Sequence, residues 1–348
     1  MITCIVTPSR IEQPALQESG ARFDTKSGII IHIIIGNLYC RLNPKLTDGD
    51  RRAEDCPKGP YMDDEPKLLT VIADGVATLT FNRPEKLNAL TPAMLEDFFA
   101  IIAQWGADPD VRVIVITGAG RGFSAGLDLG AISAAASEGG SNLSADRTAA
   151  ARTNNAPQPH WGDDVGPALG HDFTRGWNGL ITCRKPTIAA INGPAFGWGF
   201  ILALHCDIRF AARSAVFNAT FARLGVPAEK GMGWLLPRLI GIARAADLLY
   251  TARRVDAAEA ERIGLVNEVV EDDRLMTHVD VYARAIAANA APRALAAMKA
   301  QIWTAADNGY DAAFAAADLE QGRCTQTEDF KEGVGSYLAK RPPVFTGR

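Results

Sequence analysis

The chain has 348 residues, of which 47% are hydrophobic and 22% are charged, a balance typical of a globular protein with a sizeable core. The formal net charge of −4 argues against a nucleic-acid partner, because such proteins usually carry a basic stripe. Six cysteines are scattered without a CxxC pair, which predicts a reducing compartment, the cytoplasm, and no disulfide framework. The five histidines also stand apart, so we expect no metal site.

The first 66 residues differ from the rest of the chain. Ile29 to Ile35 is an apolar run that is interrupted by His32 and too short to span a membrane. The stretch from Asp48 to Pro66 is polar and proline-bearing, as is typical of a linker, and Met62 begins a segment that resembles an ordinary protein start. We therefore predict no membrane partner, and an N-terminal extension over residues 1–66 with little fixed structure.

Regular elements begin at Lys67. The runs Leu68–Ile72 and Val76–Asn82 are rich in residues that favour strands. They flank Asp74 and Gly75, a dipeptide that favours a tight hairpin turn. We predict two antiparallel strands here.

A helix and a buried strand come next. Thr91 is a suitable N-cap and Pro92 suits the first helical position, so we predict a helix that continues from Ala93 to Trp105. The continuous apolar run Val111–Thr117 predicts a buried strand. A glycine-rich loop follows, and then a helix-like stretch from Leu127.

The remaining chain alternates strands and helices before it becomes helical. Ser133–Pro167 is rich in small and polar residues and is predicted to be a mobile excursion. We then predict, in chain order, a helix over Phe173–Thr182, a strand over Thr187–Ile191, a helix over Gly199–Cys206, and strands over Ile208–Ala211 and Ala215–Asn218. Helical patterns dominate from Asp256 onward, over Ala257–Ile263, Asp273–Ala288, Arg293–Asp307, Tyr310–Thr325 and Asp329–Lys340. This order predicts an α/β core over residues 67–265 and a C-terminal helical region over residues 266–348.

The segment from Ile191 to Asp207 is the most informative one for function. Gly193, Gly197 and Gly199 carry no Cβ, so the backbone can approach a ligand closely. The apolar helix that follows directs its first free N–H groups and the positive end of its dipole at this loop. Such a loop can hold a developing oxyanion, although the first helical turn offers no carboxylate. His205, further along the helix, is expected to pack inside the protein.

Three interpretations compete for the glycine-rich loop between Val113 and Leu129. Gly118-x-Gly120 is a partial dinucleotide fingerprint, but Phe123 stands where the third small residue belongs. Gly122-Phe-Ser-Ala-Gly matches the nucleophile elbow, yet a glycine loop separates it from the end of the strand. In the third interpretation, which we favour, backbone N–H groups near Leu127 face a ligand.

This loop occurs in a fixed order with other motifs. Asn82-Arg-Pro-Glu-Lys-Leu-Asn-Ala-Leu90 precedes it, and the Ile191–Asp207 segment follows it. Gly225–Gly241 and the ending Phe-Lys-Glu-Gly-Val…Lys-Arg-Pro-Pro-Val-Phe complete the set. Together these motifs resemble the crotonase (enoyl-CoA hydratase/isomerase) superfamily, and the resemblance covers Lys67 to Arg348. Each motif alone is weak, but the ordered set is specific.

The resemblance implies a fold, a substrate and a site. The fold is a spiral of ββα turns with C-terminal helices that support a homotrimer or a dimer of trimers. The substrate is an acyl-CoA thioester, so coenzyme A arrives as part of the substrate and no separate cofactor is expected. The family's oxyanion hole uses two backbone N–H groups, which match Leu127 and Trp198 in this chain. The residues that match its CoA- and substrate-binding segments are Lys86, Leu90, Ala125, Asp128 and Leu129.

The chain departs from the family at the catalytic acids. Hydratases of the family carry two glutamates, which match Ile201 and Phe221 here, so hydration by a glutamate pair is excluded and an acyl pocket is expected at these two positions. Glu229 lies eight residues after Phe221, where related enzymes place a carboxylate. An apolar pocket lined by Ile201, Phe221 and Trp198 would suit it to proton transfer. Two alternatives stay open: Glu229 pairs with Lys230 at the surface, or Asp128 transfers the proton.

These features predict an enoyl-CoA isomerase that uses the single carboxylate of Glu229, because one group can remove a proton and return it. One alternative is an acyl-CoA thioester hydrolase or hydratase that uses Glu229. The other alternative is a catalytically silent CoA-binding subunit.

Overall fold

The computed structural model describes residues 66–131, 133, 176–305 and 309–348. The predicted extension over residues 1–66 lies outside the described residues, except for its last residue. The predicted excursion over Ser133–Pro167 also lies outside them, except for its first residue. Both therefore stay predictions.

The described residues form nine strands: β1 (Leu68–Ala73), β2 (Val76–Phe81), β3 (Val113–Gly118), β4 (Thr187–Ile191), β5 (Ala195–Phe196), β6 (Ile208–Ala212), β7 (Val216–Asn218), β8 (Arg254–Asp256) and β9 (Glu268–Val270). Six of them form one sheet in the order β1-β2-β3-β4-β6-β9. The first two strands pair antiparallel as a hairpin, whereas the other neighbours in this sheet pair in parallel. The other three strands form a small sheet in the order β5-β7-β8.

Ten α-helices lie wholly within the same part of the chain: α1 (Pro92–Ala107), α2 (Gly179–Thr182), α3 (Trp198–His205), α4 (Met232–Ile240), α5 (Ile242–Thr251), α6 (Ala257–Arg262), α7 (Leu275–Asn289), α8 (Pro292–Thr304), α9 (Tyr310–Cys324) and α10 (Glu328–Leu338). The last four follow β9, so the fold is an α/β unit with a helical C-terminal region. No helix among the described residues is both long and apolar enough to cross a membrane.

Both faces of the main sheet are covered. Along β3, Ile114 and Ile116 belong to the large core cluster that includes side chains of α1. Val113 and Val115 belong to the opposite cluster, together with Val279 of α7. This alternation follows from the strand geometry, in which successive side chains point to opposite faces. A parallel strand that is buried on both faces has a continuous run of apolar residues in its sequence. The sequence predicts β3 well because it contains such a run.

Several local predictions are confirmed. The strand β4 spans Thr187–Ile191, as predicted. Thr91 is the N-cap of α1, and its Oγ1 accepts a hydrogen bond from Met94 N at 3.2 Å. The hairpin turns at Asp74 and Gly75, whose φ angles are +48° and +78°. The elements in which local sequence signals are strong thus form where they are expected.

The structure also contains helices and strands that the sequence analysis does not predict. The helix α4 contains Pro237, and Gly231 and Gly233 stand at its start, so its helical pattern is hidden by residues that disfavour helices. The strands β5 and β8 have only two and three residues, and their pairing depends on distant partners. The strand β9 follows residue 265, so the main sheet continues past the predicted end of the core.

The helix predicted from Leu127 is wrong at its start. Leu127 forms a parallel bridge with Leu90, which holds its backbone extended, and helical backbone begins only at Leu129. In the segment predicted as a helix over Phe173–Thr182, the described residues form a 3-10 turn, Gly176–Asn178, and then α2.

Candidate active site

Two loops that are distant in sequence lie edge to edge. One runs from residue 122 to 127 after β3, and the other runs from residue 192 to 198 after β4. Phe123 N and Ser124 N both donate to Pro194 O, at 3.1 and 3.0 Å, and Phe196 N donates to Ser124 O at 2.9 Å. These hydrogen bonds hold the two glycine-containing segments in one fixed arrangement.

Gly126 and Gly199 allow the close approach of these loops. A Cβ on Gly126 would lie 2.7 Å from Phe196 O and 3.1 Å from Trp198 N. A Cβ on Gly199 would lie 2.5 Å from Ser124 O. The φ of Gly126 is also +89°, in a region that side-chain-bearing residues rarely adopt. Both positions therefore require glycine, for reasons of packing that the sequence alone does not reveal.

Leu127 and Trp198 bring two backbone N–H groups to this contact. Leu90 N donates to Gly126 O at 2.7 Å, and Asp128 N donates to Leu90 O at 2.9 Å. Successive peptide groups of an extended chain point in opposite directions, so the N–H of Leu127 faces away from Leu90. Trp198 is the first residue of α3, where N–H groups have no partner within the helix. Among the described residues, neither N–H group has a hydrogen-bond acceptor, as an anion site requires.

The segment between Arg83 and Leu90 is held against the first loop by Asn88. Its side chain accepts a hydrogen bond from Arg83 N (2.8 Å) and donates to Ala119 O (2.9 Å) and Gly122 O (2.7 Å). Asn88 is fully buried and has a φ of +56°, which asparagine tolerates better than most residues. This clamp fixes the segment that the family resemblance assigns to CoA.

Asp128 is engaged in fixing the same region. Its carboxylate accepts a hydrogen bond from Gly130 N at 2.9 Å, lies 2.9 Å from Arg83 Nη1 and lies 3.8 Å from Lys86 Nζ. The hydrogen bond from Gly130, with that from Arg83, holds the pKa of Asp128 below its usual value, although burial acts in the opposite direction. A carboxylate with these partners suits the loop-fixing role better than proton transfer.

The predicted CoA-binding residues gather along this edge, with different degrees of exposure. Lys86 is 57% exposed and Leu129 is 79% exposed, so both side chains are free to meet a ligand. Ala125 is half-buried, and its N–H donates to Leu87 O at 2.8 Å. Leu90 is fully buried, so in this conformation it can contribute to the site only through its backbone.

Glu229 is brought to the oxyanion loop by a side-chain hydrogen bond. Trp198 Nε1 donates to Glu229 Oε2 at 2.6 Å. Lys230 does not pair with this carboxylate: its Nζ lies 5.6 Å from the ring centroid of Trp198 and 5.8 Å from that of Trp177. The alternative of a surface Glu229–Lys230 ion pair is therefore wrong for this structure.

Sequence reasoning expects Trp198 beside Glu229 but misses the aromatic cluster that supports the Trp198 ring. The rings of Trp177 and Trp198 lie 5.1 Å apart at 75°, and Trp177 also contacts Phe99 at 5.6 Å. Trp177 and Trp198 lie in different segments, so the sequence gives no sign that their rings are in contact. The residue next to Glu229 in the sequence is Lys230, which suggests only an ion pair.

Ile201 and Phe221 lie in the core. Ile201 has no exposed surface and Phe221 is buried, so neither lines an open pocket in this conformation. Their expected role in an acyl pocket stays a prediction. His205 is buried as expected, and its Nδ1 lies 2.8 Å from Ile201 O. Burial lowers the pKa of His205 to about 4, which keeps the ring neutral at ordinary pH.

The competing interpretations of the first loop do not fit the structure. Ser124 is fully buried, and its hydroxyl donates to Asn88 O at 2.9 Å, so it is not an exposed nucleophile. Phe123 is also fully buried, with its ring in edge contact with Phe81 at 5.8 Å, so no helix packs there as in a dinucleotide site. Within the described part of the chain, no three side chains of His, Cys, Asp or Glu are grouped to hold a metal ion.

Comparisons with known proteins agree with this geometry. A family model for enoyl-CoA hydratase/isomerase matches residues 71–152 and 167–348. A probable enoyl-CoA hydratase from Rhodobacter capsulatus is 35% identical, over 80% of this chain and 96% of its own length. The 1,2-epoxyphenylacetyl-CoA isomerase of Escherichia coli K12 is 36% identical, over 81% of this chain and 98% of its own.

Solved structures show the same fold. A probable enoyl-CoA hydratase/isomerase from Mycobacterium abscessus superimposes with a TM-score of 0.68 at 31% identity, over 81% of this chain and 99% of its own. An enoyl-CoA hydratase from Bacillus anthracis gives a TM-score of 0.69 at 29% identity, over 81% of this chain and all of its own. The chain belongs to the enoyl-CoA hydratase/isomerase family and has the crotonase fold, as the ordered motifs predict.

Proposed function

We propose that this protein is an enoyl-CoA isomerase that moves a double bond with one carboxylate, Glu229. The observation that carries the proposal is the 2.6 Å hydrogen bond from Trp198 Nε1 to Glu229 Oε2. It joins the predicted base to the residue whose backbone N–H is a predicted oxyanion donor. A base near the carbonyl oxygen of a thioester is what proton abstraction at the adjacent carbon requires.

The proposed reaction begins when the thioester oxygen of a 3-enoyl-CoA accepts hydrogen bonds from Leu127 N and Trp198 N. Glu229 then removes a proton from the carbon next to the carbonyl, and the electron pair of that C–H bond forms a dienolate. Each oxyanion donor stabilises this charge by roughly 3 kcal/mol. Glu229 returns the proton to the far end of the diene, which gives the conjugated 2-enoyl-CoA. No atom is gained or lost, so no separate cofactor is needed.

The apolar residues at Ile201 and Phe221 favour this reaction over hydration. Hydration must hold a water molecule and move two protons, which the family resemblance assigns to a glutamate pair that is absent here. Named relatives include both a hydratase and an isomerase, and the isomerase is 36% identical to this chain. The names of these relatives do not decide between the reactions; we prefer double-bond isomerisation because one carboxylate is enough to remove a proton and return it.

The reaction type can be tested with a panel of 2-enoyl-, 3-enoyl- and hydroxyacyl-CoA thioesters, read by mass spectrometry after chromatography. Isomerisation gives a product of unchanged mass and altered retention. A product heavier by one water would show hydration, and free CoA would show hydrolysis; either as the main product overturns the proposal. No turnover of any thioester would favour the silent CoA-binding subunit.

Glu229→Gln is expected to lower kcat for the active thioester by roughly 10²- to 10⁴-fold, because an amide cannot take up the proton. Binding of butyryl-CoA, which carries no double bond to move, is expected to stay within about twofold of wild type, since the oxyanion donors remain. Steady-state kinetics and calorimetry measure the two effects. Glu96→Gln, an exposed carboxylate of α1, is the matched control and should have no effect on either. Full activity in Glu229→Gln would remove Glu229 from the mechanism.

We also propose a homotrimer or a dimer of trimers in the cytoplasm. Support for the assembly comes from large apolar side chains that the last helices expose, among them Ile302 of α8, Phe314 of α9, and Tyr337 and Leu338 of α10. Exposed apolar surface of this kind is typical of subunit interfaces. Support for a reducing compartment comes from the described cysteines, Cys183, Cys206 and Cys324, which are all free thiols.

A further inference from the structure

Trp198 contributes two different hydrogen-bond donors to the site. Its backbone N–H is a predicted oxyanion donor, and its indole N–H is bonded to Glu229. We propose that the Trp198 indole is a positioning group that sets the place and orientation of the Glu229 carboxylate relative to the bound thioester. This inference rests on the proposed function, because it assumes that Glu229 transfers the proton.

The hydrogen bond distinguishes the two oxygens of Glu229. An indole N–H can only donate, and a bond of 2.6 Å between this donor and a carboxylate is short, as charge-assisted bonds are. It occupies Oε2. Among the described residues, no group donates to Oε1, so this oxygen keeps its lone pairs for a proton. The indole therefore orients the carboxylate without competing for the proton.

The loop that carries Glu229 has little other means of holding it. Leu224 and Val226, just before it, are exposed, and the side-chain contacts beside Glu229 are those of Ala228 with the core and of Lys230 with the rings of Trp177 and Trp198, so the segment is only partly packed. Such segments open more readily than packed ones. The other local tie is through the backbone, where Met232 N donates to Glu229 O at 2.9 Å. That bond fixes the chain but leaves the side chain free to rotate, so the indole provides the missing restraint.

The indole itself is held on several sides. Trp177 contacts it edge-on at 5.1 Å, and the Lys230 ammonium lies 5.6 Å from its ring centroid, within cation–π range. Trp177 is supported in turn by Phe99 at 5.6 Å. A ring with these contacts has few alternative rotamers, so its N–H direction is set before substrate arrives. Preorganisation of this kind is what makes a positioned base effective.

One residue thus sets the spacing between the base and the oxyanion site. The backbone and the indole of Trp198 are joined by covalent bonds, so the distance from the predicted N–H donor to the held carboxylate varies little. A base misplaced by about 1 Å from the proton it removes can lose roughly 100-fold in rate. Trp198 and Glu229 are 31 residues apart in the sequence, and this hydrogen bond joins their side chains directly.

The test removes the indole N–H and keeps the backbone N–H and an aromatic ring. For Trp198→Phe we expect kcat with 3-hexenoyl-CoA to fall roughly 10- to 100-fold, because the carboxylate loses its restraint, while KM changes less than about twofold. Benzothienylalanine at position 198 has sulfur in place of the N–H in a ring of nearly the same shape. It should show the same loss, and it serves as the test if the phenylalanine variant folds poorly.

Trp303→Phe is the matched control, since Trp303 also donates its indole N–H to a carboxylate, Asp207, but outside the site. Its kcat should equal that of wild type. In a Glu229→Gln background, Trp198→Phe should lower the residual rate by less than about twofold, because the two residues act as one unit.

A wild-type kcat in both position-198 variants would overturn the inference and leave the proposed function intact. So would an equal loss from Trp198→Phe with and without Glu229, which would indicate a role in packing alone. Full activity in Glu229→Gln would instead overturn the proposed function itself.

Discussion

Two indole–carboxylate pairs in this protein differ in how many other donors reach the carboxylate. In the first, Trp303 Nε1 donates to Asp207 Oδ1 at 3.0 Å. The other oxygen of Asp207 accepts from both the backbone N–H (2.8 Å) and the hydroxyl (2.9 Å) of Thr187, and Lys299 Nζ lies 2.8 Å from it. This pair joins α8 to the residue before β6, and Thr187 adds the start of β4, so the carboxylate is held among structural elements.

The second pair is Trp198 with Glu229, and its single hydrogen bond is the only one that the described residues make to that carboxylate. A carboxylate that four donors hold, as Asp207 is held, has its orientation fixed by several contacts at once. One that is held by a single donor is fixed in place and still able to react. The same two chemical groups therefore serve a structural purpose in one place and suit a chemical one in the other.

Lys299→Met should have the largest effect on the structural pair. Lys299 Nζ also donates to Leu180 O (2.7 Å) and Lys185 O (3.0 Å), so the change leaves buried carbonyl acceptors and the half-buried Asp207 carboxylate without their cation. We expect the free energy of unfolding in urea to fall by about 3 kcal/mol or more. Turnover per folded molecule should stay at the wild-type value.

Lys331→Met provides the control for that loss. Lys331 forms an exposed ion pair with Glu328 at 2.7 Å, and its removal should cost less than about 0.5 kcal/mol. If both lysine variants cost the same, the saturated environment of Asp207 does not stabilise the fold, and the contrast between the two pairs loses its energetic basis.

His205 allows a test of how the stability of the fold depends on pH. It ends the helix that begins at Trp198, and its pKa is lowered from 6.5 to about 4 by burial. Between pH 4 and 6.5 the unfolded chain binds more protons here than the folded one, so stability is present above pH 6.5 and is lost as pH falls towards 4. This loss reaches about 3 kcal/mol at most.

For His205→Gln, which cannot take up that proton, we expect a flatter dependence of unfolding free energy on pH between 4 and 6.5. The wild-type and variant curves should run parallel from pH 7 to 8. Denaturant titrations at a series of pH values measure both. Curves that stay parallel down to pH 4 would show that His205 does not contribute to acid unfolding.

Trp303→Phe should have the smallest effect, a loss of about 1 kcal/mol of unfolding free energy for one hydrogen bond, with kcat unchanged. Trp303→Phe and Trp198→Phe should each be measured for both unfolding free energy and kcat, so that the two variants can be compared directly. A lowered kcat in Trp303→Phe would show that the two regions are coupled, and the division between them would fail.

The fold follows from the sequence where local signals are strong. The apolar run of β3 and the Thr91 cap of α1 are visible as patterns because burial on both faces and capping each demand particular residue types. The helix α4 is not visible as a sequence pattern, because Pro237 disfavours helical structure. The helix forms there because tertiary packing outweighs this local preference. Pairings such as β9 with β6 depend on chain segments about 60 residues apart, and three residues carry too little pattern to predict them.

The site, like the fold, is predictable only where the residues of a short segment determine the local structure. The family resemblance of the ordered motifs implies backbone donors at Leu127 and Trp198, and neither N–H has an acceptor among the described residues. Trp198 is expected near Glu229, but the hydrogen bond between its indole and the carboxylate is not predictable, since it depends on the path of an exposed loop. The burial of Leu90 is also not predictable from the sequence, because it depends on the pairing of Leu90 with Leu127.

The contact between Trp177 and Trp198 also gives the protein a spectroscopic reporter. Two indoles 5.1 Å apart and inclined at 75° are close enough for their electronic transitions to couple, which produces a paired signal in circular dichroism. One member of the couple is bonded to Glu229. An acyl group that settles beside that carboxylate would therefore change the optical signal directly, and its arrival could be timed in unlabelled protein before any bond is rearranged.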